Sequence, residues 1–153
     1  MSSFRIRPAT PEDAPAAARS MMALESCLYG TTTYTQADLE HEWSLASLER
    51  DVRVLLDGDA IAGFGALHDR GELWRLDGTV HPDAQGRGGG SALATALERD
   101  AAGRGARRVQ SGVLEADAES DTGAFRVYER VGMRPFIGWV MFEKSLVGQE
   151  SGQ

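Results

Sequence analysis

The chain of 153 residues carries one cysteine, Cys27, one lysine, Lys144, and three histidines, His41, His68 and His81. A single thiol excludes an internal disulfide and suits a reducing compartment. Cys27 sits in an apolar-rich stretch with no histidine nearby, which fits a small buried hydrophobe better than a nucleophile. The histidines have no metal-ligand spacing with one another or with Cys27, so no metal is expected. No window approaches the ~20 apolar residues of a membrane span, and the start Met1-Ser2-Ser3-Phe4-Arg5 lacks the apolar stretch of a signal peptide. The expectation is a cytoplasmic protein without membrane attachment. Positive charge is scarce as well: the formal net charge is -7, which disfavours nucleic acid and anionic surfaces and mildly favours a cationic partner.

What is present has the size of one domain, with an ordinary apolar fraction of 42%. Residues 1–147 read as that domain and 148–153 as a short polar tail. Phe4-Arg5-Ile6-Arg7 alternates like a short strand and ends at Pro8. Thr10-Pro11-Glu12-Asp13 then reads as an N-cap, a proline at the first helical position and acids against the helix dipole, opening a helix through Leu24. A polar loop over Glu25–Thr35 leads to a second helix over Gln36–Arg50. Strands are expected over Val52–Leu56, Ala60–His68 and Glu72–Val80, separated by turns at Gly58 and Gly71, as an antiparallel meander. A helix over Gly88–Ala102, a strand over Arg107–Val113, a helix over Asp121–Val131 and a strand or hairpin within Phe136–Ser145 complete the chain. The order β-α-α-β-β-β-α-β-α-β gives an α/β fold, a mixed, mostly antiparallel central sheet with helices on both faces. Gly78 interrupts its strand and can mark a bulge.

The segment Val80-His81-Pro82-Asp83-Ala84-Gln85-Gly86-Arg87-Gly88-Gly89-Gly90-Ser91 joins a strand to a helix through a turn rich in glycine. Such a turn lets the backbone approach a pyrophosphate, and the first amides of the helix add partial positive charge. A nucleotide-triphosphate loop needs Lys after its glycines, and none follows here. A dinucleotide fingerprint starting at Gly86 or Gly88 puts Ser91 or Leu93 where its third glycine belongs. What remains is Gln-x-x-Gly-x-Gly on Gln85, Gly88 and Gly90, with Arg87 inside it. This resembles the acyl-coenzyme A signature of the GCN5-related N-acetyltransferase superfamily. Ala124-Phe125-Arg126-Val127-Tyr128-Glu129-Arg130-Val131-Gly132 resembles that superfamily's later motif, in which Ala and Tyr four apart on a helix precede a glycine turn. One departure is Asp121, where the family often has Asn. Asp keeps the helix cap, but it does not offer an amide contact to the cofactor.

The resemblance implies the acyl-CoA N-acyltransferase fold and acetyl transfer from acetyl-CoA to an amine, small molecule or peptide. The alternative is a non-catalytic acyl-CoA-binding or regulatory domain of the same fold, and a homodimer through the last strands is a family-level expectation. It also implies a splay between the strands Glu72–Val80 and Arg107–Val113, with the pantetheine arm pairing near Thr79 and Val80. The cofactor-side residues are then Thr79, Val80, Gln85, Gly86, Arg87, Gly88, Gly89, Gly90, Ser91, Asp121 and Tyr128. Arg87, Arg104, Arg107 and Arg108 flank the turn and its helix, either as phosphate contacts or as a solvated face.

Acyl transfer needs a neutral nucleophile, a donor to the thioester carbonyl and an acid for the departing thiolate. By family analogy the Val80 amide is the carbonyl contact and Tyr128 the acid. The strand position that holds a Glu in several family members is Trp74. Glu72 and Asp77 are the candidate bases, and a site with no dedicated base stands beside them. Alternation puts Glu72 on the face of Trp74, Leu76 and Val80, with Asp77 opposite. His81 reads as the start of the loop rather than a base. Tyr29, Tyr34, Trp43 and Trp139 either line an acceptor pocket or belong to the core.

Overall fold

The computed structural model describes residues 4–112, 130–135 and 141–147. Within them, seven strands form one sheet in the order β1-β2-β3-β4-β5-β7-β6: β1 (Phe4–Pro8), β2 (Val52–Asp57), β3 (Ala60–Arg70), β4 (Leu73–Val80), β5 (Arg108–Gly112), β6 (Arg134–Pro135) and β7 (Met141–Ser145). Every neighbouring pair is antiparallel except β4 and β5. The expected meander β2-β3-β4 is present, joined by two-residue turns that open on Gly58 and Gly71 with φ of 63° and 82°. Of the strand or hairpin expected within Phe136–Ser145, β7 is the described strand, and its antiparallel partner β6 precedes that range. Most of the expected helix Asp121–Val131, with Asp121, Ala124 and Tyr128, lies outside the described residues, as do Trp139 and the tail.

The helices divide between the two faces. Thr10 opens the first one: its N–H donates to the Asp13 carboxylate (2.8 Å), which also takes two bonds from the Arg7 guanidinium (2.8 and 3.0 Å). A single 3-10 turn at Pro11–Asp13 leads into α1 (Ala14–Tyr29). This helix runs one turn past the expected Leu24, because Gly30 takes φ 77° and its N–H caps the Ser26 carbonyl (2.9 Å). Cys27 lies in that extra turn, past the buried stripe that ends at Leu24, and is exposed rather than buried. The expected second helix is broken. Helix α2 (Gln36–Ser44), capped reciprocally by Thr35 and Asp38, stops where the Ser44 hydroxyl donates back to the His41 carbonyl (2.6 Å), and α3 (Leu48–Asp51) is one separate turn. Leu39 and Trp43 of α2 pack with Ala14, Ala17 and Ala18 of α1 over Val52, Val54 and Phe64. Trp43 and Phe64 meet edge to face, ring centroids 6.0 Å apart, so Trp43 is core.

On the other face lies α4 (Gly89–Gly103), whose buried residues Gly89, Leu93, Leu97 and Ala101 form a stripe at every fourth position. Leu93 and Leu97 pack on Leu67, Trp74, Leu76 and Val109. The register between β3 and β4 is continuous from Gly63–Val80 to Arg70–Leu73, so the expected bulge at Gly78 is absent; the irregularity falls in β2, between Leu55 and Leu56. Gly78 is instead paired with Gly65, and both lie under α4: a Cβ on Gly65 would stand 2.6 Å from Leu97 Cδ1, and one on Gly78 would stand 3.6 Å from Leu93 Cδ2. No helix among the described residues is long and apolar enough to cross a membrane.

The Arg7 guanidinium, opposed by burial and helped by the Thr10 N–H, holds the Asp13 carboxyl below its ordinary pKa. A lowered acid stabilises the fold above its unfolded pKa and loses that contribution as pH falls through the folded one. Asp13→Asn is therefore expected to cost about 1–2 kcal/mol at neutral pH, as loss of a helix cap does. In urea titrations run from pH 7 downward, that difference from wild type should vanish in acid. A difference that persists at low pH would show that the loss lies in packing and not in the ionised carboxylate.

Candidate active site

The site starts from which edge of β4 each peptide group faces. The Glu72 carbonyl accepts from the Arg107 and Arg108 N–H groups (3.2 and 3.1 Å), on the β5 side, while the His81 N–H donates to the Ala62 carbonyl (2.7 Å), on the β3 side. Peptide groups alternate edges along a strand. The main-chain groups of Leu76, Gly78 and Val80 therefore face β5. Yet β4 and β5 pair only at Leu73–Arg108, Trp74–Val109 and Arg75–Gln110. Leu76 closes the ladder against Gln110; past it the parallel strands part, and the outward groups of Gly78 and Val80 have no β5 partner among the described residues. By the same alternation, Gly112 turns its main chain into the gap from the other side. The splay expected between these strands is thus present in the described residues.

The glycine turn follows β4 at the end where the strands have parted and packs back toward β1 and β2. Gly86 and Gly88 take φ of 79° and 88°, a left-handed backbone that side chains disfavour. The first bond inside α4 runs from the Ala92 N–H to the Gly88 carbonyl (3.0 Å), which leaves the N–H groups of Gly89, Gly90 and Ser91 at the positive end of the helix dipole. Gly89 serves packing: a Cβ there would stand 2.9 Å from Leu55 and 3.1 Å from the Phe4 ring. Gln85 ties the turn to the strand, its side-chain amide donating to the Val80 carbonyl (3.2 Å). His81 caps the short 3-10 turn Pro82–Ala84 by accepting from the Asp83 N–H (3.1 Å), as a loop-starting residue does.

Several expected site residues are drawn elsewhere. Arg87 bonds the Asp57 carboxylate and lies over the Phe4 ring, 5.0 Å from its centroid, so its charge is held against the β1–β2 end. Arg104 bonds Asp51 (2.8 Å) and covers the Trp74 ring. Together with Arg107 and Arg108 it lies at the far end of α4, about 22 Å from the turn for a helix of this length. Thr79 is buried with its hydroxyl toward Met21 of α1, and its main chain faces β3, so Val80 rather than Thr79 presents a peptide group to the gap. Glu72 is exposed in the turn before β4, about 26 Å of strand from Val80. The structure does not bring it to the gap.

The two faces of β4 differ in chemistry. Trp74 is buried beneath α4, with its indole N–H donating to the Gly71 carbonyl (2.9 Å). Asp77 points to the opposite face, that of α1, and meets His68 of β3 (Nε2 to Oδ2, 3.3 Å) and Arg75 (Nε to Oδ1, 3.3 Å). Desolvation works to raise the Asp77 pKa, but the His68 hydrogen bond and the Arg75 charge outweigh it and hold the carboxyl below its ordinary range. His68 is the residue that sequence reasoning missed. Its signal lies in the β3–β4 register, which sets His68 opposite Arg75 and one diagonal step from Asp77. Of the aromatic residues considered for an acceptor pocket, Tyr29 is exposed, while Tyr34 is half-buried with its phenol pKa raised by burial and the nearby Glu42, Asp38 and Glu25.

The model of the Acetyltransferase (GNAT) family matches residues 18–133. The chain belongs to the GNAT family of acetyltransferases. A comparison with curated proteins returned no match. Solved structures share the fold: a GCN5-related N-acetyltransferase from Sphaerobacter thermophilus is 24% identical with a TM-score of 0.78, the match covering 88% of this chain and 44% of that one. The Salmonella typhimurium protein yncA, solved with its cofactor acetyl-CoA, is 17% identical over 99% of both chains with a TM-score of 0.74. A GNAT superfamily phosphinothricin acetyltransferase from Sinorhizobium meliloti, solved in complex with acetyl-CoA, is 17% identical over 94% of this chain and 88% of its own, also with a TM-score of 0.74.

In this GNAT chain the glycines of the turn have separable reasons. A Cβ on Gly88 meets nothing within 4 Å, so Gly88→Ala carries only the left-handed backbone cost, about 1–2 kcal/mol. Gly89→Ala presses on Leu55 and Phe4, an overpacking cost of about 1–3 kcal/mol. Urea unfolding of both variants checks this, and Phe4→Leu should relieve Gly89→Ala while leaving Gly88→Ala unchanged.

Proposed function

We propose that this protein transfers an acetyl group from acetyl-CoA to a primary amine, small molecule or peptide, by direct attack in a ternary complex. The observation that carries the reading is the parting of β4 from β5 in front of the glycine turn that opens α4. A pyrophosphate suits the N–H groups of Gly89, Gly90 and Ser91, and an extended amide arm suits the edge of β4 that β5 leaves open at Gly78 and at the Val80 N–H. Acetyl-CoA in two of the similar structures supports the choice of donor. The donor would then approach from the α4 face, which leaves the α1 face, with Asp77 and His68, for the amine.

The thioester carbonyl needs a hydrogen-bond donor placed where the amine attacks. Gly78 follows Asp77 in the chain and turns its N–H into the gap, whereas Val80 lies further toward the turn; Gly78 is our assignment for the carbonyl and Val80 for the arm. The amine nitrogen bonds the acyl carbon, the carbon–sulfur bond breaks, and the sulfur takes a proton. Tyr128, assigned from its motif and outside the described residues, supplies that proton. The amine's own proton goes to His68: with Nε2 held by Asp77, Nδ1 is left to accept. A carboxylate held low is a weak base, so Asp77 orients the ring and balances its charge. Trp74, where family members place a Glu, is compensated on the opposite face of the same strand.

An acetylation assay over a panel of amines, with thermal unfolding in acetyl-CoA, tests the reading. Acetyl-CoA should raise the wild-type midpoint, by about 2.7 kcal/mol of stability at a hundredfold excess over its Kd. His68→Gln and Asp77→Asn should retain that stabilisation and lower kcat/KM about a hundredfold or more. Absence of any stabilisation removes the donor site; full turnover in both variants removes the His68–Asp77 pair from the mechanism.

A further inference from the structure

Ser111 is fully buried on β5, and its hydroxyl has no hydrogen-bond partner among the described residues. Buried hydroxyls are ordinarily paired, because leaving one dry and unbonded is costly. Its place in the sheet gives a reason. Gln110 makes the last pair with β4, so Ser111 is the first β5 residue beyond the point where the strands part. The main chain of Ser111 faces β7, where it is in register with Phe142, and the residue is therefore satisfied apart from that hydroxyl. Side chains alternate, which puts Ser111 on the face of Val109 and Trp74, the face that carries α4. This is the face on which the glycine turn stands.

We infer that the Ser111 hydroxyl is a donor-binding contact, hydrogen-bonding the inner end of an acyl-thioester's amide arm at the apex of the gap between β4 and β5. The inference rests on the proposed acetyl-CoA site and extends it to a side chain that neither sequence motif contains. An amide or thioester carbonyl entering the apex meets a hydroxyl that is already desolvated, so the bond forms without stripping water from the protein partner. The β4 limb offers only main-chain groups, which hold any extended amide; Ser111 adds one contact fixed to the apex and so sets how deep the arm reaches.

Calorimetric titration of wild type, Ser111→Ala and the similarly sized Ser111→Cys tests it, with three probes: acetyl-CoA, free CoA, and adenosine 3′,5′-bisphosphate, which lacks the arm. Loss of the hydroxyl is expected to weaken acetyl-CoA and CoA about fivefold to tenfold and to leave the bisphosphate unchanged. The unfolding midpoint without ligand should hold or rise, since an unpaired buried hydroxyl has been removed. Equal affinity of wild type and both variants for acetyl-CoA overturns the inference, as does equal weakening of all three probes with a lowered midpoint, which would mark Ser111 as structural. If wild type itself binds neither acetyl-CoA nor CoA, the donor site fails first and the inference falls with it.

Discussion

A peptide group inside a protein must find a partner, and among the described residues β5 leaves those of Gly78 and Val80 at the centre of this sheet unpaired. Strand β4 is fastened along its whole length to β3, and β5 is fastened along its length to β7, while among the described residues the two hold each other through three residue pairs. Each limb of the gap is thus anchored on its outer side. The opening comes from two well-paired strands that diverge. The glycine turn, the burial of Ser111 and the separation of Asp77 from Trp74 all take their meaning from that divergence.

Because side chains on a strand alternate, the same divergence sorts the chemistry. The face of Trp74, Leu76 and Gly78 is apolar and covered by α4, whose first turn supplies amides for an anion. The face of Asp77 carries charge, with His68 and Arg75 in contact. In the proposed reaction, a thioester lying between the strands has its phosphates on one side and meets the nucleophile from the other. Separate approach of this kind is what direct transfer requires, since neither reactant has to leave before the other arrives.

Much of this was legible from residue order. Gly58 and Gly71 announced the two hairpins, Thr10 to Asp13 the helix start, and Gln85 to Gly90 the turn, because each depends on a local backbone demand that a few neighbours reveal. What escaped depends on partners distant in the chain. The pairing of His68 with Asp77 needs the β3–β4 register; the diversion of Arg87 to Asp57 and Phe4 needs the end of β2 beside the turn. Gly78 looked like a bulge since an isolated glycine in a strand has two readings, irregular backbone or close approach; the register runs through it unbroken, and the close approach belongs to Gly65 opposite it, beneath Leu97. The break at Ser44 went unseen because α2 and α3 share a helical spacing of apolar residues across it.

Gly65 has a consequence beyond packing. With no Cβ there, Leu97 and Leu93 come down to the sheet backbone itself, so α4 is seated by its middle on β3 while its first turn is seated by Gly89 on Leu55 and Phe4. The cradle is made of peptide groups, and its composition is therefore nearly independent of which side chains surround it. Its aim is not. Direction is inherited from what the helix rests on, Gly65 under its middle and Leu55 and Phe4 under Gly89, and the sequence variation able to redirect this turn belongs to β1, β2 and β3 as much as to its own glycines.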